Sequence, residues 1–396
     1  MNITVFSIYC GLMLSLSAFS IDILLPSLVG MSQGLNASME AVQLTIPVYM
    51  LALGLANPFF GVLGDRVGRR KGIFIGLGIY MSGTLVCVLS PIEPLLAGRF
   101  LQGFGAACAP VICRAMIRDK YQGTQLAQTM AIASMFFALG PMLAPLLGYL
   151  MYATAGWRAV FLLLILLSLV MLVSTRLQEE TLPPEKRRDK GWQSIFIDLS
   201  AVLSNRYSRR YIILSCVATA IILTFLSHAP LIYGNMGVGV KEFSFLFAMT
   251  SIGIVIGQLI NHRLLGKMSP QRASLLAAIV VAITSVVIFL GAYLNRLTGP
   301  SFTALMFAFN MSYLIIFSNL ISLTLEPHGQ RAGMASAIFG FCSYIGGSIL
   351  AGALAFTTEQ QTTRWAFCFM LLAVTLFAGL AYVMHLNKVD QQADQI

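Results

Sequence analysis

The sequence predicts an all-α polytopic membrane protein with twelve transmembrane helices, and three observations carry this prediction. Of the 396 residues, 58% are hydrophobic and only 10% are charged, whereas water-soluble domains carry about 25% charged residues. The mean hydropathy is +0.82. Apolar stretches of about 20 residues, the length that a helix needs to cross a bilayer, recur along the chain. The composition therefore argues against a soluble enzyme and against a disordered, collagen-like or disulfide-bonded scaffold.

The apolar stretches form two sets of six, separated by a polar run. They fall at 5–29, 41–64, 72–90, 92–116, 129–152, 157–175, 210–233, 242–262, 272–294, 300–325, 332–356 and 364–386. The first stretch is too long for a signal peptide, and we interpret it as a retained span. An even number of spans places both termini on the same side of the membrane.

The polar run extends from Glu179 to Trp192 and is the only sustained one in the sequence. Its adjacent prolines and alternating charges predict a solvated linker, with a short interfacial helix near Trp192–Leu203. The predicted regions are an N-terminal six-helix bundle at 1–175, a cytoplasmic linker at 176–209, a C-terminal six-helix bundle at 210–386 and a cytoplasmic tail at 387–396.

Lysine and arginine positions predict the orientation of the chain. With both termini in the cytoplasm, nearly all basic residues fall on the cytoplasmic side. The exceptions are Arg158, Lys241, Arg296 and Arg364 on the outer side and Arg99 inside a span. This asymmetry, together with contact with anionic membrane lipid, accounts for the net charge of +10. Nucleic acid is therefore not expected as a partner.

A segment with the sequence GVLGDRVGRRK lies between the second and third predicted spans. Its glycines permit a close helix approach and a turn. Its aspartate can accept hydrogen bonds from an arginine or from a helix N-terminus, so the segment can form a charge latch of the kind that a gate requires. The alternative is that the arginines serve orientation only. The predicted gate residues are Gly61, Gly64, Asp65, Arg66, Gly68, Arg69 and Arg70. A weaker copy, GQLINHRLLGK, lies between the eighth and ninth spans.

Two charged residues lie well inside predicted spans. Asp22 occurs in IDILLP of the first span, and Arg99 occurs in LLAGRFLQGFGAA of the fourth. An uncompensated arginine in hydrocarbon costs at least about 2.5–3.5 kcal/mol. Because both residues lie at a similar depth below the outer interface, we expect them to be partners. A carboxyl group in a water-poor cavity can carry a proton, so the pair predicts proton coupling. The alternative is a structural pair that fixes helix packing.

The fifth predicted span contains ALGPMLAPLLG. Its small residues recur every four positions, which allows another helix to pack closely, and its two prolines remove hydrogen bonds and bend the span. These residues are Gly140, Pro141, Ala144, Pro145 and Gly148.

Candidates for a substrate cavity mix polar and aromatic side chains, as ligand sites do. They are Gln43, Tyr49, Asn57, Gln102, Phe136, Phe137, Asn310, Tyr313 and Asn319. The alternative for each of them is helix packing or an interhelical hydrogen bond.

The cysteines and histidines show no metal-ligand spacing, and the sequence contains no phosphate-binding glycine loop and no nucleophile–His–acid set. We therefore predict no metal, no cofactor and no enzymatic activity.

These motifs resemble those of a known family. GVLGDRVGRRK resembles the GxLaDrxGrk signature of the major facilitator superfamily, and the Arg99 segment resembles its RxxQGxGaa motif. The fifth-span segment resembles the gxxxGPxxGG antiporter motif, which is found in exporters more than in importers, and IDILLP resembles the acidic first-span motif of the drug-exporter branch. Together they resemble the Bcr/CflA branch (bicyclomycin and chloramphenicol resistance type) of the drug:H+ antiporters.

The resemblance implies the major facilitator fold, which has two pseudo-symmetric six-helix bundles around a central cavity. It also implies proton-coupled export of small, partly hydrophobic compounds by alternating access, carried out by a monomer in the bacterial inner membrane. Some relatives place a second carboxylate in the first span where this chain has Leu14, so the resemblance does not extend to a two-acid scheme. A proton-coupled importer or exchanger of a metabolite on the same fold is the alternative, against which the fifth-span motif argues.

Overall fold

A computed structural model describes residues 3–89, 91–187, 193–357 and 361–393. Within these residues every regular element is a helix, and twelve helical segments are long and apolar enough to cross a membrane. The predicted fold class is thereby confirmed. The chain divides into two compact units, Met1–Ile197 and Asp198–Ile396, and each contains half of the spans.

The first unit contains six spans, three of which are built from more than one helix. Its helices are α1 (Ile3–Asp22), α2 (Leu28–Leu35), α3 (Met39–Gln43), α4 (Thr45–Val67), α5 (Arg69–Leu89), α6 (Ile92–Ala106), α7 (Cys108–Lys120), α8 (Gly123–Ala155) and α9 (Trp157–Arg176). The first span joins α1 and α2, the second joins α3 and α4, and the fourth joins α6 and α7.

The first span is interrupted directly after Asp22. A short 3₁₀ turn, Leu25–Ser27, follows, with Pro26 in its first positions. Proline lacks a backbone N–H and cannot continue the α-helical ladder, and the N–H of Leu24 donates to the carbonyl oxygen of Ile21 at 3.2 Å. The carbonyl oxygen of Ser20 is thereby left at a helix end, where it needs another donor.

In the first unit, other helices pack around α6. Helix α6 packs against α4 and α5 and also contacts α1, while α1 packs along α8, and α5 also packs against α9. A side chain on α6 therefore reaches the backbones of several spans at once.

The second unit has its own set of six spans. The helices from residue 193 onward are α10 (Gln193–Ser204), α11 (Arg206–Asn235), α12 (Val240–Leu265), α13 (Pro270–Tyr293), α14 (Gly299–Leu325), α15 (Ala332–Thr357) and α16 (Thr362–Ala393). Helix α10 occupies the position of the predicted interfacial helix, although Trp192 lies outside the described residues. Helix α16 continues to Ala393, so the segment predicted as a tail is helical over its described part.

Candidate functional site

Arg99 is fully buried in the first unit, and its guanidinium contacts three spans. Its Nε donates to the carbonyl oxygen of Thr45 at 3.2 Å. Its Nη1 donates to the carbonyl oxygen of Ser20 at 3.3 Å and to Oε1 of Gln102. The guanidinium carbon lies 4.3 Å from the ring centroid of Tyr49, within the range of a cation–π contact. Arg99 thus supplies the donor that the C-terminal end of α1 lacks, where a positive charge also suits the helix dipole.

The predicted ion pair between Asp22 and Arg99 is not formed. Asp22 is the last residue of α1 and is 5% exposed, and within the described residues its carboxylate makes neither a hydrogen bond nor an ion pair. The helix geometry gives the reason. Arg99 meets α1 at Ser20, and residues two positions apart point to different sides of a helix. The similar depth of the two residues correctly predicted that Arg99 meets α1. Arg99 contacts a different face of α1 from the one that carries Asp22.

A hydrogen-bond network extends from Arg99 through buried side chains. Nε2 of Gln102 donates to Oγ1 of Thr84 at 2.9 Å, and the hydroxyls of Ser20 and Tyr80 are 2.7 Å apart. These polar residues of α1 and α5 show no sequence signal beyond their occurrence in apolar spans. Nη2 of Arg99 has no hydrogen-bond partner among the described residues. Because an unsatisfied buried donor is costly, this atom can bind a further oxygen.

The small residues of α8 lie against α1. A Cβ atom added at Gly148 would overlap the carbonyl oxygen of Ile23, the residue that follows Asp22. A Cβ atom added at Gly140 would also contact α1, and Ala144 between them is fully buried. The close packing that the sequence predicts for the fifth span is therefore found, and its partner is the helix that ends at Asp22.

The two prolines of this motif do not break the fifth span. Pro141 and Pro145 both lie inside α8, which continues past them to Ala155 as one helix. Each proline removes one backbone donor from the helix, so this part of α8 is held by fewer internal hydrogen bonds than its flanks.

The predicted gate segment forms the junction of α4 and α5, and Arg69 is at its centre. Nη1 of Arg69 donates to Oδ1 of Asp65 at 2.6 Å, and Nε donates to Oδ2 of Asp119 at 2.8 Å. We call these three residues the Arg69 cluster. Asp119, at the end of α7, was missed by sequence reasoning because it lies between Arg118 and Lys120, which mark the end of a span by themselves.

The other predicted gate residues surround this cluster. Gly68 has φ of +100°, a conformation that favours glycine, and it ends α4 with the predicted turn. Gly64 is buried and Gly61 is half-buried on α4. Arg66 lies in the last turn of α4, and Nη2 of Arg70 donates to the carbonyl oxygen at the end of α9 at 2.9 Å.

The cavity candidates of the first unit differ in their surroundings. Gln43 is buried, and its Nε2 has no partner among the described residues. Tyr49 is fully buried against Arg99, and Asn57 is buried on α4. Phe136 packs on α1, whereas Phe137 is 40% exposed. The buried candidates Gln43, Tyr49 and Asn57 therefore lie on the second span, which contacts Arg99, whereas the two phenylalanines lie on the fifth span.

The two asparagine candidates of the second unit have different roles. Asn319 and Asn261 exchange two amide hydrogen bonds, at 3.1 and 3.2 Å, between α14 and α12. The interhelical hydrogen bond that the sequence left as the alternative for Asn319 is therefore present, and its place in a substrate cavity stays a prediction. Asn310 donates to the carbonyl oxygen of Thr250 at 3.3 Å, and its Oδ1 has no partner among the described residues.

Tyr313 belongs to a row of aromatic rings along one face of α14. Its ring centroid lies 6.2 Å from that of Phe309 and 5.9 Å from that of Phe317, with nearly parallel planes. The row continues through Phe369, 4.9 Å from Phe309, and Phe339, 5.5 Å from Phe317. Tyr313 and Phe317 are half-buried, whereas the other three rings are buried.

Comparison with known proteins assigns the family. The sequence profile of the Major Facilitator Superfamily matches residues 10–351. The chain is 28% identical over 372 residues to "Uncharacterized MFS-type transporter YdgK" of Bacillus subtilis, with 92% of each chain covered. It is also 28% identical over 341 residues to "Multidrug resistance protein MdtL" of Escherichia coli O45:K1, with 83% of each chain covered.

A solved structure agrees with this family at the level of the fold. The D-xylose-proton symporter matches with a TM-score of 0.74 at 15% sequence identity, covering 94% of this chain and 97% of the symporter. With the profile matching most of the chain and the twelve spans in place, this multi-pass membrane protein belongs to the Major Facilitator Superfamily and is a transporter of small molecules rather than an enzyme.

Proposed function

We propose that this transporter exports small, partly hydrophobic compounds across the bacterial inner membrane in exchange for protons. The single observation that carries the proposal is the Asp22 carboxylate, which is buried at the break of the first span without a partner among the described residues. Burying a charge without a partner is costly. A carboxyl group in this position therefore changes its proton occupancy when its surroundings change between water-filled and water-excluded states.

Arg99 gives the carboxylate a second environment in the proposed cycle. Its Nη2 has no partner among the described residues, and its Nη1 holds the end of α1 at Ser20. A rotation of this helix end would present Asp22 to the free Nη2, so that an ion pair absent here would form in another state. Binding a proton at Asp22 would then release the pair, and the two events would alternate.

The direction of transport is inferred from the fifth span and from one relative. The small residues of α8 pack against α1 beside Asp22, in a segment that resembles the antiporter motif. The relative MdtL is named as a multidrug resistance protein. We propose, on the same grounds, that the Arg69 cluster is the cytoplasmic gate and that both termini are cytoplasmic. A proton-coupled importer or exchanger remains the second candidate, because the D-xylose-proton symporter shares the fold.

The test uses Asp22→Asn in everted membrane vesicles whose lumen has been acidified. With the parent protein, external ethidium should enter the lumen and release protons, which a pH-sensitive dye reports. Asp22→Asn should abolish this proton release without changing the amount of inserted protein. Glu93→Gln, which neutralises an exposed carboxylate in the first turn of α6, is the matched control and should behave as the parent.

Two outcomes would contradict the proposal. Undiminished proton release in Asp22→Asn would remove this residue from proton coupling. A symporter, in contrast, would move protons out of the lumen only together with substrate loaded inside the vesicles, so a response to internal but not to external compound would favour import over export.

A further inference from the structure

The start of the linker is packed against the first unit. Glu179 onward was predicted to be a solvated linker, yet Leu182 is only 8% exposed. Oγ1 of Thr181 lies within 3.4 Å of Oδ2 of Asp119, a member of the Arg69 cluster. The chain that leaves α9 therefore turns back onto the Arg69 cluster before it continues toward α10.

Glu180 holds this turn by accepting backbone hydrogen bonds. Its Oε1 accepts from the N–H of Arg69 at 2.9 Å and from the N–H of Leu182 at 3.0 Å. Its Oε2 accepts from the N–H of Arg70 at 3.1 Å. The first N–H groups of a helix have no partner within the helix, and the positive end of the helix dipole favours a carboxylate there. Glu180 thus accepts the hydrogen bonds of the free N–H groups at the N-terminus of α5, although it lies far away in the sequence.

Gly68 makes room for this carboxylate. A Cβ atom added at this position would lie 2.6 Å from Oε2 of Glu180, closer than real Cβ contacts allow. The φ of +100° at Gly68 separately disfavours any other residue. Space and backbone conformation therefore both adapt the junction of α4 and α5 to an acidic side chain that comes from the linker.

Arg69 is held at both ends by acidic groups. Its backbone N–H binds Glu180, while its guanidinium binds Asp65 and Asp119. Release of Glu180 would free the first turn of α5 and the linker turn together. The backbone of Arg69 would then no longer be held in place, and its guanidinium would be less well positioned to bind Asp65 on α4 and Asp119 on α7.

We infer that Glu180 is a positioning residue of the gate, and that it docks the linker onto the Arg69 cluster so that the linker moves with the gate during transport. The inference rests on transport by this family fold and does not depend on proton coupling or on the direction of transport. With Glu180 docked in this way, the linker that connects the two units takes part in the transport cycle.

A cysteine-labelling experiment on purified protein tests the docking without any substrate. Leu182→Cys reports on the docked turn, and Leu177→Cys, at a position that is 77% exposed, reports on its surroundings. The native cysteines are buried or half-buried, and the parent protein gives their background. Glu180→Gln keeps the size of the side chain but loses its charge and one acceptor. It should speed maleimide labelling of Leu182→Cys about tenfold, as loss of charge-assisted hydrogen bonds predicts, and leave Leu177→Cys unchanged.

Matched variants separate docking from a general loss of structure. Glu179→Gln removes an exposed charge next to Glu180 and should change neither labelling rate. Glu180→Asp keeps both acceptor oxygens on a shorter side chain and should restore slow labelling in part. An unchanged labelling rate of Leu182→Cys in Glu180→Gln would overturn the inference, as would an equal acceleration at Leu177→Cys.

Transport gives the second readout. Ethidium efflux from cells should fall about tenfold in Glu180→Gln relative to Glu179→Gln at equal protein amount, since the gate loses charge-assisted contacts. Undiminished efflux in Glu180→Gln, together with faster labelling, would show that docking has no role in transport and would also overturn the inference. If the parent protein does not export ethidium, the proposed function fails, and the labelling result still decides whether Glu180 docks the linker.

Discussion

The two units have the same number of spans but different interiors. In the first unit, a fully buried arginine connects α1, α4 and α6 through hydrogen bonds, and a buried carboxylate lies at a helix break. In the second unit, aromatic rings form much of the described interior; Trp365 and Phe369 are stacked at 4.8 Å, and Phe225 and Phe247 at 5.7 Å. Charge is thus concentrated in one unit, and apolar ring surface in the other.

The repeated gate motif shows the same difference. In the first unit, Asp65 belongs to an ionic cluster with Arg69. At the corresponding place in the second unit, Asn261 forms a neutral amide pair with Asn319. An ionic contact responds to water and to neighbouring charges, whereas an amide pair between two spans mainly holds them together. We propose that the first unit carries the charges that change partners during transport, whereas a neutral amide pair holds two spans together at the corresponding place in the second unit.

The largest effect is expected on removing the buried charge. Arg99→Met keeps an unbranched side chain that can pack on Tyr49, but it leaves the carbonyl oxygens of Ser20 and Thr45 and the Gln102 amide oxygen without their donor. Three buried acceptors that lose a donor should lower stability by roughly 3–6 kcal/mol. A thermal-unfolding assay in detergent measures the change. Arg158→Met, at an exposed arginine that donates to the carbonyl oxygen of Val88 and lies over the Trp157 ring, is the control and should have little effect.

A glycine comparison across the units should give the next largest effect. Gly148→Ala places a methyl group where the Ile23 carbonyl oxygen lies, so α1 and α8 must separate, and overpacking of this kind costs about 1–3 kcal/mol. Gly352→Ala on α15 meets no described atom within 4 Å and is the matched control. Transport and thermal stability should both fall in the first variant only. Equal losses in the two variants would contradict the special role of the contact between α1 and α8.

The sequence was sufficient to predict the fold and part of the candidate site. Hydropathy located all twelve spans, because a helix that crosses a bilayer needs a long apolar stretch whatever its neighbours are. A contact between the carboxylate and an arginine of the predicted gate segment is also present, because Asp65 and Arg69 are four residues apart and meet across a single turn. Contacts between sequence neighbours leave a pattern in the sequence.

Contacts between distant residues left no such pattern. Glu180 binds the backbone of Arg69, and a backbone N–H has no sequence signature. The direct pairing of Asp22 with Arg99 was predicted from depth alone, which does not define the face of the helix that each side chain occupies. The amide pair of Asn319 and Asn261 was not predicted, because the sequence does not show that these two residues lie opposite each other.

The amide pair of the second unit should contribute a smaller amount. Interhelical hydrogen bonds in membranes average about 0.6 kcal/mol and reach about 1.7 kcal/mol. A double-mutant cycle with Asn261→Leu and Asn319→Leu should give a coupling energy in this range, because either single variant leaves one buried amide unpaired. Asn261→Asp introduces the aspartate that the first unit has at the corresponding position. It should be more destabilising than Asn261→Leu, because the residue opposite is Asn319 and not a basic residue that could pair with the new charge. A stabilising Asn261→Asp would contradict the proposed difference between the units.

The smallest effect is expected at Tyr313, where only the choice of substrate should change. Its hydroxyl makes no hydrogen bond to the described residues, so Tyr313→Phe should leave thermal stability unchanged. Tyr313→Leu removes a ring from the row on α14, and ring stacking is worth about 0.5–1.5 kcal/mol beyond burial. If the row contacts substrate, the apparent KM for planar ethidium should rise about two- to tenfold, whereas KM for a non-aromatic lipophilic cation should stay constant. An equal rise for both compounds would mean that the ring only packs the unit, and the apolar surface of the second unit would then have no part in recognition.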